Sequence, residues 1–191
     1  MPTVLRFSHD AEKPEPASGN LPLREILHKS DARDRVVLVM VDDDEDDCLL
    51  VNDAIRQACV DCTFRCVEDG EQLLDYLDRS HRLMDVESCP FPDLILLDLN
   101  MPRMHGRKVL EILKTDPRFR AVPVIILTTS RELEDVKVCY DLGANSYITK
   151  QATFDDIISC FRTLLEYWID VATLPRKKTR IEDPGKPNDL S

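Results

Sequence analysis

The stretch VVLVMVDDDEDD, residues 36–47, decides the fold of this chain. Its first half is a short apolar run rich in Val, typical of a strand buried on both faces, and its acidic second half begins a helical pattern. Four more short apolar runs follow, over residues 63–67, 93–97, 124–127 and 146–148. The stretches between them carry apolar residues at helical spacing. Five strands that each lead into a helix predict right-handed crossovers onto one five-stranded parallel sheet covered on both faces, which is a doubly wound α/β domain.

The 191 residues have room for this domain and for an extension at each end. We assign residues 34–170 to the domain, 1–33 to a flexible N-terminal arm and 171–191 to a C-terminal tail. The arm combines Pro with charged residues and Ser, and it has too little apolar surface to form a core of its own. Its apolar stretch 21–27 belongs either to a disordered leader or to a short helix that docks on the domain or on a partner. We expect the tail, with its basic stretch 175–180, to be solvated.

Composition and charge exclude several classes of function. The chain has 25 Lys and Arg against 36 Asp and Glu, and its formal net charge of −11 repels phosphate backbones, so we expect no nucleic acid partner. No apolar run is long enough to span a membrane, and the N-terminus lacks the apolar segment of a signal peptide. We therefore expect a cytoplasmic protein with no membrane association. With five Gly in the chain, neither a GxGxxG turn nor a Walker-type phosphate loop occurs.

The seven Cys do not predict a disulfide framework. Their number is odd, and most of them lie in apolar segments, where a free thiol behaves as a small hydrophobic side chain. Cys59, Cys62 and Cys66 have the spacing of half a zinc site, but no second pair of ligands follows at zinc spacing. We therefore interpret these three as core thiols.

Polar side chains follow four of the predicted strands at the points where the strands end. They are Asp42 and Asp43 after the first strand, Asp98 after the third, Thr128 after the fourth and Lys150 after the fifth. The carboxyl ends of parallel strands meet at one edge of the sheet, where doubly wound domains bind their ligands. Carboxylates are ligands that Mg²⁺ prefers, and a Lys ammonium balances phosphate charge. This set of residues predicts phosphoryl chemistry supported by a divalent metal.

The three carboxylates predict both the cation and the nucleophile. Asp42, Asp43 and Asp98 would repel one another at close range unless a cation lay between them, so a bound Mg²⁺ explains their coexistence and keeps them ionised. An ionised Asp98 is a nucleophile, and its attack on phosphorus gives an acyl phosphate. Mg²⁺ and Lys150 then supply the charge neutralisation that in-line phosphoryl transfer requires.

The acidic run after the first strand has two other interpretations. Residues 44–47 mainly form a cap that complements the N-terminal dipole of the first helix. An EF-hand loop is excluded, because counted from Asp42 its sixth and twelfth positions need Gly and Glu. Those positions are Asp47 and Asp53 in this chain.

The order and context of these residues resemble the receiver domain of two-component response regulators. The resemblance covers residues 35–170. Four motifs carry it: VLVMVDD (37–43), LILLDLNMPRMHG (94–106), VIILTTS (124–130) and GANSYITK (143–150). It implies the flavodoxin-like (βα)5 fold with strand order 2-1-3-4-5.

The resemblance also implies a role for each residue of the site. Asp98 is the aspartate that a histidine kinase phosphorylates. The implied Mg²⁺ ligands are Asp42, Asp43, Asp98 and the backbone carbonyl of Asn100. Lys150 pairs with the phosphoryl group, Thr128 is the switch hydroxyl and Tyr147 is the switch aromatic. The catalysis implied is limited to the protein's own phosphoryl transfer and hydrolysis, so we do not expect an enzyme.

Two features refine this resemblance: one indicates a narrower group within the family, and the other departs from the family's usual pattern. The long connection 80–92 and the ending FRTLLEYWIDVATLP (161–175) are similar to stand-alone regulators paired with phytochrome-type sensor kinases. Gln151 stands where the family usually has a Pro in a cis bond after the lysine. A cis bond before a residue other than Pro costs about 3 to 4 kcal/mol, so we predict a trans bond and a reshaped loop after Lys150.

We therefore predict a signalling protein that changes its surface or its oligomeric state when Asp98 is phosphorylated. The apolar stripe of the last helix extends beyond what one domain needs to cover. It predicts a homodimer through a face formed by Phe161, Leu165 and Trp168, unless Trp168 folds back on its own core. One alternative is a pseudo-receiver that only binds partners. The other is an aspartate phosphatase, but such an enzyme needs a second Asp where this chain has Asn100.

Overall fold

Five strands form one parallel sheet in the computed structural model, which describes residues 35–57, 62–83, 89–150 and 153–175. The strands are β1 (Val36–Val41), β2 (Cys62–Val67), β3 (Leu94–Leu97), β4 (Val124–Thr128) and β5 (Ser146–Thr149). Their order in the sheet is β2-β1-β3-β4-β5, which confirms the predicted doubly wound topology. The N-terminal arm, most of the C-terminal tail and the peptide bond before Gln151 lie outside the described residues.

Helices cover both faces of this sheet. They are α1 (Glu45–Gln57), α2 (Gly70–Leu83), α3 (Gly106–Thr115), α4 (Leu133–Asp141) and α5 (Phe154–Leu165). Side chains of α1 and α5 pack on one face, and side chains of α2, α3 and α4 pack on the other. A turn of π-helix over Glu166–Val171 continues α5. Among the described residues, no helix has the length and apolar character needed to cross a bilayer.

Alternate residues of the buried strands feed two separate cores. On β1, Val37, Val39 and Val41 join the core beneath α2 and α3. Leu38 and Met40 point the other way and join the core beneath α1 and α5. Because helices cover both faces, β1, β3 and β4 are buried at every position, which explains their unbroken apolar runs.

The register of β1 and β3 brings the residues that follow these two strands next to each other. Val41 at the end of β1 pairs with Leu97 at the end of β3. The next residues, Asp42 and Asp98, therefore leave the sheet side by side. The backbone N–H of Asp98 donates to the carbonyl of Val41 at 3.0 Å, so the ladder continues to the first residue of the site.

Two of the three residues predicted to form a dimer face belong to the core instead. Phe161 is 4% exposed and Leu165 is 0% exposed. Both side chains belong to the core between the sheet and helices α1 and α5. The prediction was wrong for these two because α5 uses its apolar stripe to cover the sheet. Trp168 is half-buried against the same core. Its neighbours Tyr167 and Val171 are 54% and 72% exposed, so among the described residues they are the exposed large apolar side chains at this end of α5.

The expectation that the chain carries no disulfide is also corrected. Cys48 on α1 and Cys66 on β2 form a disulfide, and their Cα atoms are 6.2 Å apart, within the usual range for such a bond. The free thiols among the described residues are Cys62, Cys89, Cys139 and Cys160. Cys59 lies outside the described residues. The bond joins a helix to a strand across 18 residues of sequence, a contact that cysteine count and spacing alone do not indicate.

Candidate functional site

Three carboxylates meet at the carboxyl edge of the sheet. Asp42, Asp43 and Asp98 each offer an oxygen, and these oxygens all lie within 4.8 Å of one another. Asp42 and Asp98 are buried, whereas Asp43 is exposed. The structure thus brings together the three side chains that the sequence analysis assigned to one metal.

The two oxygens of Asp98 have different surroundings. Oδ2 accepts a hydrogen bond from the backbone N–H of Asn100 at 3.0 Å. Oδ1 is buried and has no hydrogen-bond partner among the described residues. An unpaired buried carboxylate oxygen is costly, and it is the kind of atom that a hard divalent cation binds. The carboxylates of Asp42, Asp43 and Asp98 therefore form a donor set that fits a divalent metal.

Lys150 supplies the positive charge of the site. Its Nζ donates to Asp42 Oδ2 at 2.7 Å and to Asp47 Oδ2 at 2.5 Å, and it lies 3.9 Å from Asp98 Oδ1. Burial alone would lower the pKa of Lys150, but its hydrogen bonds to Asp42 and Asp47 outweigh that effect and raise it. The ammonium is therefore charged, and it is held within reach of a group attached to Asp98.

The carboxyl group of Asp42 is balanced between two opposing effects. Burial raises its pKa to about 6, while the hydrogen bond and the charge of Lys150 act to lower it. The negative charge of Asp98 adds a further upward contribution. A buried acid in this position gains from any additional cation, because the cation favours its ionised form.

Asp47 makes a contact with Lys150 that the sequence analysis missed. We assigned it with its neighbours to a helix cap, and Asp44 does behave so, since its Oδ1 accepts from the N–H of Asp46 at 2.9 Å. Asp47 instead turns inward to Lys150. The acidic run contains several adjacent carboxylates, and the sequence does not show which of them reaches Lys150. That depends on the direction in which each side chain leaves the first turn of α1.

Thr128, the predicted switch hydroxyl, is hydrogen-bonded to its neighbours. It is fully buried, and its Oγ1 lies 3.3 Å from the amide nitrogen of Asn100, which donates to it. The same amide reaches Thr129 Oγ1 at 3.4 Å, and the N–H of Ser130 donates to Thr128 Oγ1 at 3.4 Å. Asn100 was expected to act through its backbone carbonyl, so the contact made by its side chain is an addition.

Tyr147, the predicted switch aromatic, contacts the segment that follows Thr128. Its hydroxyl donates to the carbonyl oxygen of Ser130 at 3.1 Å. Burial is the main reason that the pKa of Tyr147 is raised above its usual value. The tyrosine is thus connected to Thr128 through Ser130 and the one residue, Thr129, that separates Thr128 from Ser130.

A second group of side chains holds the same segment from the other side. Ser130 Oγ donates to Asp135 Oδ2 at 2.5 Å. Asp135, in the first turn of α4, also pairs with the guanidinium of Arg107 in the first turn of α3. The sequence analysis did not identify these residues, because their partners lie in other elements of the fold.

This arrangement is suited to binding a divalent cation and to carrying a group on Asp98. Comparison with known proteins agrees with that chemistry. Residues 37–162 match the response regulator receiver domain family. Response regulator Rcp1 from Synechocystis sp. is 33% identical over 139 residues, which are 73% of this chain and 92% of Rcp1.

Solved structures give the same result. The phosphorylated cyanobacterial phytochrome response regulator RcpA superimposes with a TM-score of 0.68 at 34% identity, over 74% of this chain and 99% of that chain. The Mn²⁺-bound form of Rcp1 superimposes with a TM-score of 0.67 at 33% identity, over the same shares of the two chains.

Proposed function

The chain belongs to the response regulator receiver family, and we propose that its Asp98 accepts a phosphoryl group from a histidine kinase. The observation that carries this proposal is the environment of Asp98 Oδ1. The Asp98 carboxylate offers an oxygen within 4.8 Å of oxygens of Asp42 and Asp43. Its Oδ1 is buried, has no hydrogen-bond partner among the described residues and is 3.9 Å from the Lys150 ammonium. It is placed to act as a nucleophile among groups that stabilise negative charge.

The transfer exchanges one bond to phosphorus for another. An oxygen of Asp98 forms the new P–O bond while the P–N bond to the kinase's histidine breaks, and the imidazole leaves with the electron pair. Lys150 stays within reach of the phosphoryl oxygens and balances their charge. The hydroxyl of Thr128 lies at the same edge of the sheet and donates to the phosphoryl group once the segment after β4 shifts.

We assign the metal site to Asp42, Asp43, Asp98 and the backbone carbonyl of Asn100, with Mg²⁺ as the ion. The carboxylate oxygens support this assignment, because they form the hard donor set that Mg²⁺ prefers. The similar Rcp1 structure is a Mn²⁺-bound form, and Mn²⁺ has similar ligand preferences. A bound divalent cation would neutralise charge on the phosphoryl group during transfer.

Acetyl phosphate provides a direct test of the acceptor. With Mg²⁺ present, we expect the wild-type chain to gain one phosphoryl group that is labile in base, and we expect Asp98→Asn to gain none. Asp141→Asn is a matched control, because Asp141 is an exposed aspartate at the end of α4. Phosphorylation of Asp98→Asn at the wild-type rate would refute the proposal. A wild-type chain that binds a kinase but is never phosphorylated would identify a pseudo-receiver instead.

The partner we propose is a histidine kinase linked to a phytochrome-type sensor. The support comes from the similarity to RcpA, which is described as a phytochrome response regulator, and to Rcp1. Transfer from a phosphorylated kinase of this type should be faster than transfer from an unrelated histidine kinase at equal concentration. Equal rates from both kinases would remove the support for this partner.

For the output we propose association of two copies through the end of α5. The exposed side chains there are Tyr167 and Val171, next to the half-buried Trp168. Exposed apolar surface of this kind favours association. Sedimentation at tens of micromolar should show a wild-type dimer that Val171→Asp dissociates, whereas Leu133→Asp, which changes an exposed residue on α4, should not. A wild-type monomer, with and without phosphorylation, would refute the dimer.

A further inference from the structure

The segment that follows β4 is held at Ser130 from two sides. The hydroxyl of Tyr147 donates to the Ser130 carbonyl at 3.1 Å. The hydroxyl of Ser130 donates to Asp135 at 2.5 Å, and Asp135 is paired with Arg107. Both the main chain and the side chain of this residue are therefore fixed, two positions after the switch hydroxyl Thr128.

The Arg107–Asp135 pair is partly shielded from solvent. The side chain of Asp135 is 14% exposed and that of Arg107 is 38% exposed. The guanidinium Nε of Arg107 is buried and has no hydrogen-bond partner among the described residues, so Asp135 is the acceptor that holds this side chain in place. Charge-assisted hydrogen bonds in such surroundings are stronger than those on an open surface.

The pair also links the two loops that border Asp98. Arg107 follows Gly106 at the start of α3, and the N–H of Gly106 donates to the carbonyl of Leu99 at 3.0 Å. Asp135 lies at the start of α4, after the loop that carries Ser130. The ion pair therefore joins the end of the loop after β3 to the end of the loop after β4.

We propose that Arg107 and Asp135 are positioning residues that form a latch on Ser130 and restrain phosphorylation. This proposal rests on the proposed function of Asp98. Thr128 Oγ1 now accepts hydrogen bonds from Asn100 and from the Ser130 N–H, so turning it toward a group on Asp98 moves the chain at Ser130. That movement stretches the contact between Ser130 and Asp135. The latch thereby favours the unphosphorylated arrangement.

Removing the latch makes the movement easier and raises the population of the phosphorylation-competent arrangement. The apparent affinity for a phosphoryl mimic then rises in proportion to that population. A residue that merely supported the fold would act in the opposite direction, because its loss would disorder the site and weaken binding. The direction of the change thus separates positioning from structural support.

The test uses beryllium trifluoride, which binds an aspartate carboxylate in place of a phosphoryl group, with Mg²⁺ present. Arg107→Met keeps most of the side-chain stem and removes the guanidinium, and Asp135→Asn keeps the shape of its side chain. We expect each variant to bind the mimic about three- to tenfold more tightly than the wild type, and the double variant to gain no more than either single variant. Acetyl phosphate should phosphorylate the variants faster by a similar factor.

Glu134→Gln is the matched control, since Glu134 is an exposed acid in the same turn of α4, and it should leave the affinity unchanged. Unchanged or weaker binding by both single variants would overturn the latch and leave the proposed function intact. An additive gain in the double variant would also overturn it, because Arg107 and Asp135 would then act separately. If the wild-type chain failed to bind the mimic at all, the proposed function would fall together with the latch.

Discussion

At the scale of single residues, Gly106 marks the tightest point next to Asp98. A Cβ at this position would stand 2.1 Å from the carbonyl oxygen of Asp98 and 2.8 Å from the Cα of Leu99. Gly106→Ala must therefore displace the backbone that carries the proposed phosphoacceptor. We predict a loss of about 2 to 4 kcal/mol in the free energy of unfolding, measured in urea, together with slower phosphorylation by acetyl phosphate.

Gly143→Ala is the comparison for that prediction. Gly143 has a φ of 96°, in the left-handed region, but a Cβ there would stand 3.4 Å from the nearest atom, in the side chain of Lys114. Its cost should be about 1 to 2 kcal/mol of backbone strain, with no change in phosphorylation rate. A Gly106→Ala variant as stable and as active as the wild type would show that the loop after β3 can move freely.

The same scale shows which site residues could be predicted from sequence. Asp42 and Asp98 directly follow buried strands, so the strand pattern alone places them at one edge of the sheet. Asp47 lies one turn into α1, and its direction toward Lys150 depends on how α1 packs. The contact between Asp135 and Arg107 joins two helices and leaves no local pattern in the sequence. The residues missed are those whose role depends on packing between elements.

At the scale of secondary-structure elements, the disulfide fastens the start of α1 to an edge strand. Cys48 and Cys66 are 18 positions apart in the sequence. Closing a loop of that size lowers the conformational entropy of the unfolded chain, which stabilises the folded state by about 3 kcal/mol. We predict that dithiothreitol lowers the free energy of unfolding of the oxidised wild type by about 2 to 3 kcal/mol in urea titrations.

Two variants check the assignment of that disulfide. Cys66→Ser should be insensitive to dithiothreitol, whereas Cys160→Ser, which changes a free thiol on α5, should respond as the wild type does. Peptide mapping without reductant should recover the segments around Cys48 and Cys66 as one linked species. A wild-type stability that is identical with and without dithiothreitol would contradict the prediction.

Another element-scale contact joins α2 to the segment before β3. The hydroxyl of Tyr76 donates to the carbonyl of Pro90 at 2.5 Å. Burial is the main cause that raises the pKa of Tyr76 to about 12, whereas an unfolded tyrosine ionises near 10. The folded state therefore favours the neutral phenol, and this contribution to stability is complete below about pH 10 and is lost as the pH rises to about 12.

Tyr76→Phe should remove that part of the alkaline response. Between about pH 10 and 12 we expect the wild type to lose up to about 2 kcal/mol more stability than the variant, in denaturant titrations at each pH. At neutral pH the variant should be less stable by about 1 kcal/mol, because it lacks one hydrogen bond. Tyr167→Phe, at an exposed tyrosine, is the control and should follow the wild type. Identical alkaline profiles for all three proteins would contradict the assignment.

At the scale of the whole molecule, two continuous apolar cores support one acidic edge. The cores lie on opposite faces of the sheet, and the one beneath α2 and α3 includes the last residues of β1 and β3, Val41 and Leu97. The acidic edge is less favourable to the fold, since three carboxylate oxygens lie within 4.8 Å in a chain of net charge −11. Lys150 offsets part of this repulsion. The fold thus tolerates a local electrostatic cost at the position of the proposed metal site.

That cost should be measurable as a reversal in which protein is more stable: Asp43→Asn without a divalent cation, and the wild type with Mg²⁺. In EDTA at low ionic strength, Asp43→Asn removes one of the three repelling charges, and we expect it to be more stable than the wild type by about 1 kcal/mol. With millimolar Mg²⁺ the wild type should gain stability by binding the ion, whereas Asp43→Asn should gain much less because it lacks one ligand. KCl at matched ionic strength should shrink the difference between the two without favouring the wild type, since it only screens the charges. An Asp43→Asn variant less stable than the wild type in EDTA would mean that Lys150 already balances the cluster without a metal.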